Sequence, residues 1–345
     1  MSSMPSSPSS PYSPSSPDSP DSPDRSAVVD RLRAAGCVFA EDEAELLIAA
    51  APTATALDAL IGRRAAGEPL EHVLGWAEFR GLRITLEPGV FVPRRRTEFL
   101  VRQALALGHQ AEEDRTPVVV DLCCGSGAVG AALAVALERV ELHAADVDPV
   151  AVRCARRNLA AALRNGRGSG TYGPYEVPET YAPGDTYEAL KAPEAYAPRP
   201  PHKPYAVYEG DLYAPLPATL RGRVDILAAN VPYVPTDEVA LLPSEAREHE
   251  PRTALDGGAD GLDVLRRVAA EAAQWLAPGG CLLVETSERQ AAEAVEVMRA
   301  GGLGVRVKRS EELYATVVIG ARLRSPDRSP ETMPEPEAVP ERPAE

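Results

Sequence analysis

The stretch "VVVDLCCGSGAVG", Val118 to Gly130, decides the fold. Val118 to Leu122 is apolar apart from Asp121, and a short unbroken run of this kind, followed by glycines, reads as a strand buried on both faces. Gly125-Ser126-Gly127-Ala128-Val129-Gly130 then spells G-x-G-x-x-G, and "AVGAALAVALERV" carries on as a helix. Strand, glycine loop and helix N-terminus together make a nucleotide cradle, because small residues admit a ligand close to the backbone. Asp146 follows about 20 residues later, where an acid that binds ribose hydroxyls belongs.

Asp121 discriminates between ligands. A carboxylate at that strand end would repel a pyrophosphate seated over the helix N-terminus, which argues against a nicotinamide dinucleotide. It suits a ligand with a cationic amino-acid end, such as S-adenosyl-L-methionine, whose ammonium it can attract directly or through water. Asp146, at the end of the second strand, can accept from ribose hydroxyls, and Asp211, at the end of the third, from an exocyclic adenine amine. A single acid at a strand end is often only a turn residue; acids at three consecutive strand ends form a pattern. Cys123 and Cys124 are expected to pack, with side chains small enough to let the backbone approach a ligand, though less freely than glycine.

Outward from this loop the strand–helix rhythm continues. "ELHAADVD" is a second strand and "PVAVRCARRNLAAAL" a helix with proline at its start. "YAVYEGDL" and "RVDILAANVPYV" give the third and fourth strands, "DVLRRVAAEAAQWLAPGG" an amphipathic helix stopped by Pro278-Gly279, and "CLLVETS" a fifth strand. "GVRVKRS" and "YATVVIGARL" supply the last two. Such alternation predicts an α/β fold with a doubly wound, largely parallel sheet that binds ligands at the carboxyl ends of its strands.

Upstream, "SAVVDRLRAAG", "EDEAELLIAAA" and "ATALDALIGRRAAG" carry apolar residues at helical spacing, so 26–75 reads as a short helical domain. "AEFRGLRITLEPGVFVPR" alternates around Gly81 and Pro88-Gly89, which predicts a β-hairpin linker over 76–95. The sheet domain then spans 96–321. Ser/Pro repeats over 1–25, a Tyr/Pro-rich insertion over 165–206 and a Pro/Glu tail over 322–345 lack the apolar content to pack and are expected to be disordered.

The 345 residues carry a net charge of −15, of which residues 1–25 hold −2 and 325–345 hold −4, leaving −9 for the body. That balance argues against non-specific attraction to nucleic acid or to anionic membranes. Five cysteines without a C-x-x-C pair suggest neither a disulfide framework nor a zinc site, so no metal is expected. No apolar run is long enough to span a membrane, and the N-terminus lacks the apolar core of a signal peptide. The expected location is cytoplasmic and the expected state a monomer.

The fourth strand runs into Asn230-Val231-Pro232-Tyr233, one residue away from Asn-Pro-Pro-Tyr, a tetrapeptide with which some methyltransferases grip an amine. A carboxamide or aromatic amine has a delocalised lone pair, so the enzyme's task is to orient it. The Asn230 side-chain oxygen and the main-chain carbonyl of residue 231 can accept the two N–H bonds, which turns the lone pair toward an activated methyl group. Tyr233 can pack on the planar target, and its ring also suits a cationic centre. Val231 would contribute only a carbonyl, and Pro232 still biases its backbone to extended conformations. The four residues are the candidate catalytic set. Under this mechanism no general base is required before transfer.

Taken together the residues resemble the protein-(glutamine-N5) methyltransferases of the HemK type, which modify the glutamine of class I release factors. The resemblance covers roughly residues 41–320 and includes "GEPLEHVLGWAEFRGLRITLEPGVFVPR", "DLCCGSGAVG", "DVDPVAV" with Asn158, "NVPYVP" and "EHEPRTALDGGADGLDVLRRV". It implies a Rossmann-like, seven-stranded methyltransferase sheet. It also implies that Cys123, Cys124, Gly125, Ser126, Gly127, Asp146, Leu212 and Asn230 line an S-adenosyl-L-methionine pocket, while residues 230–233 hold the glutamine. The implied partner is a release factor or another translation-related protein that presents a glutamine. "PRRRTE" over 93–98, "ETSERQ" over 285–290 and Val231 depart from the family's usual residues, and the helical segment is short. A divergent paralogue is therefore the expectation. Three other readings stand beside it: an adenine-N6 methyltransferase of DNA or RNA, a nicotinamide dehydrogenase, and a catalytically weak binding module on a methyltransferase fold.

Overall fold

The computed structural model describes residues 24–108, 115–165 and 204–324. The tails expected over 1–25 and 322–345 and the insertion expected over 165–206 lie outside the described residues, apart from 24–25, 165, 204–206 and 322–324. The chain divides into two compact units between Val73 and Leu74.

The first unit is helical. Asp24 caps α1 (Arg25–Ala34) by accepting from the Ser26 N–H, and Thr53 caps α3 (Ala54–Ala65) through the Ala56 N–H, each satisfying a donor that the helix start leaves free. α2 (Ala40–Ala50) lies between them in sequence, and α4 (Leu70–Leu74) stands at the division. The apolar stripes bury Leu32, Leu47, Leu57 and Ile61. Arg64 donates to both carboxylate oxygens of Glu43, at 2.6 and 3.1 Å, and this buried pair ties α3 to α2.

The second unit opens with the hairpin β1 (Trp76–Phe79) and β2 (Leu82–Thr85), paired antiparallel. It is more than a linker: Phe79, Leu82 and Ile84 sit in one apolar cluster with Phe99, Leu100, Leu133 and Leu159. Helix α5 (Glu98–Gly108) follows. β3 (Val118–Leu122), α6 (Ala128–Ala136), β4 (Glu141–Asp146), α7 (Pro149–Asn165) and β5 (Tyr205–Glu209) then build one half of the sheet. β6 (Val224–Ala229), α8 (Ser244–His249), α9 (Asp263–Trp275), β7 (Leu276–Thr286), α10 (Ala291–Ala300), β8 (Gly304–Ser310) and β9 (Ala315–Ala321) build the other.

The sheet order is β5-β4-β3-β6-β7-β9-β8, parallel from β5 through β7, with β9 antiparallel to both β7 and β8. This is the doubly wound, seven-stranded Rossmann-like methyltransferase sheet. The order reverses at β3, whose neighbours are β4 and β6, so the crevice for a ligand opens between the carboxyl ends of β3 and β6. All five residues of β3 are buried, as a central parallel strand requires. Helix α6 is apolar all round and buried in turn.

One expected boundary is corrected. Helix α9 ends at Trp275, and Pro278-Gly279 lie within β7 instead of stopping the helix. Leu276 pairs with Val224 and Cys281 with Ile226, so the register shifts between the two pairs. Proline is tolerated at such an irregularity because no regular ladder there requires the N–H it lacks. Gly280 fits there because a Cβ would stand 2.4 Å from the Val224 carbonyl oxygen.

Candidate active site

The glycine loop begins at the end of β3 with a left-handed residue. Cys123 has φ +53°, Gly125 +54° and Gly127 +77°. Only glycine takes this conformation without strain, so Cys123 carries a cost that its neighbours avoid. Gly127 is further required by packing: a Cβ would stand 2.9 Å from Cα of Ala155 on α7. Nothing lies within 4 Å of where a Gly125 Cβ would be, so the outer side of the loop is open. Cys124 is buried and donates its N–H to the Ala145 carbonyl at 3.1 Å. Burial raises both thiols well above the ordinary range, which suits packing and not nucleophilic chemistry.

Asp121 is 1% exposed, and its Oδ2 accepts the Gly130 N–H at 2.9 Å. It thereby holds the first turn of α6 against β3. Burial raises its carboxyl to about 7, the Gly130 N–H opposes that shift, and the neighbouring Asp146 charge adds to it. Asp146 is only partly buried. Its Oδ2 accepts from Gly125 N–H at 2.8 Å and its Oδ1 from Asp148 N–H at 2.9 Å, which leaves further acceptor capacity on each oxygen. Burial raises this carboxyl too, against those backbone donors. Asp211 is exposed and paired with Arg267 of α9, a partner that sequence does not reveal. Leu212 follows it in a left-handed conformation, φ +47°.

Ser126 is buried, and its carbonyl accepts from Asn158 Nδ2 at 2.8 Å. The same amide group exchanges two 2.9 Å hydrogen bonds with the backbone of Thr85. Asn158 thus fastens β2 and the glycine loop to α7, which gives that residue a structural role.

Asn230 stands at the end of β6. Its Nδ2 lies 3.5 Å from Thr97 Oγ1, while its Oδ1 is buried with no hydrogen-bond partner among the described residues. Buried acceptors are rarely left this way. Val231 is 2% exposed and packs in an apolar cluster with Leu262 and Leu265, so its side chain faces the core and what it can offer a ligand is main chain. Pro232 is buried as well. Tyr233 donates its hydroxyl to Glu285 Oε1 at 3.2 Å, and its phenol is raised by burial first and by the Glu285 charge second.

Two further groups converge on these four residues. Arg96 donates Nε to the same Glu285 oxygen at 2.9 Å, and its guanidinium carbon lies 5.7 Å from the Tyr233 ring centroid. On the other side the 256–261 turn closes over the main chain. Gly257 N–H donates to the Val234 carbonyl at 2.8 Å, and Gln290 Nε2 spans the Tyr233 and Asp260 carbonyls at 2.9 Å each. A Cβ on Gly257 would stand 2.6 Å from the Pro232 oxygen, and one on Gly261 2.3 Å from the Tyr233 oxygen. The "DGGADG" sequence is therefore the clamp on residues 232–234. The departure at Arg96 in "PRRRTE" meets the start of "ETSERQ", since Arg96 and Glu285 bind each other. Among the described residues no group of His, Cys, Asp and Glu is arranged to hold a metal ion, and no helix is long and apolar enough to cross a membrane.

The methyltransferase small domain family matches residues 81–170. The chain is 33% identical to the release factor glutamine methyltransferase of Streptomyces coelicolor over 67% of each chain. It is 34% identical to that of Mycolicibacterium smegmatis over 72% of each. A 4-amino-L-phenylalanine/4-methylamino-L-phenylalanine methyltransferase of Streptomyces pristinaespiralis is 32% identical over 70% of this chain and 69% of its own. Among solved structures, a methyltransferase from Pyrococcus furiosus is 15% identical with a TM-score of 0.43, covering 76% of this chain and 97% of that one. That likeness is too low to bear on activity.

Proposed function

Because the chain belongs to the release factor glutamine methyltransferase family, we propose that it transfers a methyl group from S-adenosyl-L-methionine to the side-chain amide nitrogen of a glutamine in a protein, a release factor. The observation that carries this reading is the buried, unpartnered Oδ1 of Asn230 at the end of β6, beside the switch point of the sheet. A primary amide brings the N–H that this oxygen lacks.

The residues present fit the donor. The open side of the glycine loop at Gly125 gives a ligand access to main chain, Asp146 retains acceptor capacity for ribose hydroxyls, and Asp211 and Leu212 stand at the end of the third strand of the sheet domain. When bound, the donor supplies a methyl group already activated on a sulfonium. The chain's own work is positional. Asn230 Oδ1 and the Val231 carbonyl take the amide's two N–H bonds, Tyr233 flanks the planar group, and the 256–261 clamp fixes the main chain that carries them. Holding a weak nucleophile in line is worth orders of magnitude in rate without any group of unusual basicity.

The S. pristinaespiralis relative, at 32% identity, is named for an aromatic amine, and the same acceptors would hold an aniline nitrogen. Incubating the full chain with labelled S-adenosyl-L-methionine and either a release factor or 4-amino-L-phenylalanine separates the two. Transfer to the release factor is expected; transfer to the amino acid alone would replace the substrate, and transfer to nucleic acid alone would replace the reading.

A further inference from the structure

Glu285 is buried in the candidate site, with a side chain 2% exposed. Its Oε1 takes both available donors, Arg96 Nε at 2.9 Å and the Tyr233 hydroxyl at 3.2 Å, while Oε2 is buried with no hydrogen-bond partner among the described residues. Arginine–carboxylate pairs frequently engage both carboxylate oxygens. Here one oxygen takes both donors and the other takes none among the described residues.

Its location matters. β6 and β7 run parallel with Ala229 opposite Val284, so the chain's next residues are Asn230 and Glu285, at neighbouring strand ends. The consecutive residues Arg96 and Thr97 reach Glu285 and Asn230 respectively. Two buried acceptor oxygens without donors, Asn230 Oδ1 and Glu285 Oε2, thus stand at the same end of the sheet. A buried acceptor calls for a donor, and a donor-bearing ligand at this end of the sheet would supply one to each.

The geometry points to Glu285 as a further catalytic residue, one that receives the proton the target amine sheds once the methyl group has been transferred; the assignment rests on the amine-methylation reading above. The amine nitrogen forms a bond to the donor methyl, and the carbon–sulfur bond breaks with its electron pair staying on sulfur, which leaves as a thioether. The nitrogen then carries a positive charge and a surplus proton. That N–H bond breaks, its electrons return to nitrogen, and the proton passes to Glu285 Oε2. An amide nitrogen that has gained a fourth substituent is strongly acidic, so a carboxylate held beside a guanidinium is base enough. Arg96 and Tyr233 are positioning residues that aim it.

The test uses the full chain, S-adenosyl-L-methionine, and whichever of the release factor and 4-amino-L-phenylalanine the wild type methylates. If the wild type methylates neither, the amine-methylation reading fails and this assignment with it. Given turnover, Glu285→Gln is expected to bind S-adenosyl-L-methionine as the wild type does by calorimetry, hold KM within about threefold and lower kcat by roughly 100-fold, within the usual range for a lost proton acceptor. Added formate should restore part of the rate to Glu285→Ala and none to Asn230→Ala. A Glu285→Gln kcat within about threefold of wild type, or an unrescued Glu285→Ala, overturns the assignment. Should both variants fail to bind S-adenosyl-L-methionine, Arg96→Ala decides, since it leaves the carboxylate in place but unaimed. About a tenfold loss of kcat at unchanged KM supports the assignment, and an unchanged kcat overturns it.

Discussion

The proposed chemistry centres on Asn230, whose two amide ends are treated differently: Nδ2 has a protein contact and Oδ1 has none among the described residues. Asn230→Ala should keep S-adenosyl-L-methionine affinity near wild type while abolishing transfer, and surviving transfer would remove the grip. Asp146→Ala should weaken S-adenosyl-L-methionine binding by about 1.5–3 kcal/mol, the contribution of a hydrogen bond to a charged group; calorimetry reads it directly, and unchanged affinity would move the ribose site elsewhere. Asp121 supplies a pH signature. Its carboxyl titrates near 3.9 in an unfolded chain and at about 7 in the folded one. Between those values the folded protein keeps a proton that the unfolded chain has released. The stability this represents is complete below about pH 4 and drains away as pH rises to about 7, on the order of a few kcal/mol. Asp121→Asn should therefore gain stability relative to wild type across that window and run parallel to it above. Denaturant titrations at a series of pH values check this, and parallel curves throughout would refute it.

At the scale of elements, the strand–loop–helix core was legible because its signals are local. An apolar run, a glycine spacing and an acid at the strand end lie within one stretch, and segment length with flanking glycine and proline separates helix from strand on either side. Asp146 and Asp211 were legible as strand-end acids for the same reason. What sequence could not show was contact between distant segments. Arg96 meets Glu285 across 189 residues, and Asn230 meets Thr97 across 133. Nothing periodic links those positions, so the carboxylate beside the amine grip was invisible. Asp121 was read correctly as a strand-end acid, yet its orientation under α6 depends on packing that no spacing encodes. The end of α9 was misplaced because Pro278-Gly279 is an ordinary helix stop, and only the partner strand turns it into a register shift. The 256–261 turn offers the sharpest test at this scale. Gly261→Ala would drive a Cβ into the Tyr233 carbonyl and Gln290 at φ +79°. It should cost about 2–4 kcal/mol by strain and overpacking together, and transfer should fall far more than S-adenosyl-L-methionine binding does. Equal losses of both would mean that the turn supports the whole unit and not the grip.

For the whole molecule, a helical unit precedes a sheet unit that contains every residue assigned here to binding and transfer. The net charge of −15 sets this chain apart from proteins that seek nucleic acid by charge alone, and family membership directs attention to a protein glutamine. The central claim is that Asn230-Val231-Pro232-Tyr233, with valine at its second position, still holds an amide for methylation. The most direct measurement is mass spectrometry of a release factor after incubation with the full chain and S-adenosyl-L-methionine. The expected result is a single methyl group on a glutamine side-chain amide, absent when Asn230→Ala replaces the wild type. A methyl group on any other residue type, or an equal yield from Asn230→Ala, would contradict it.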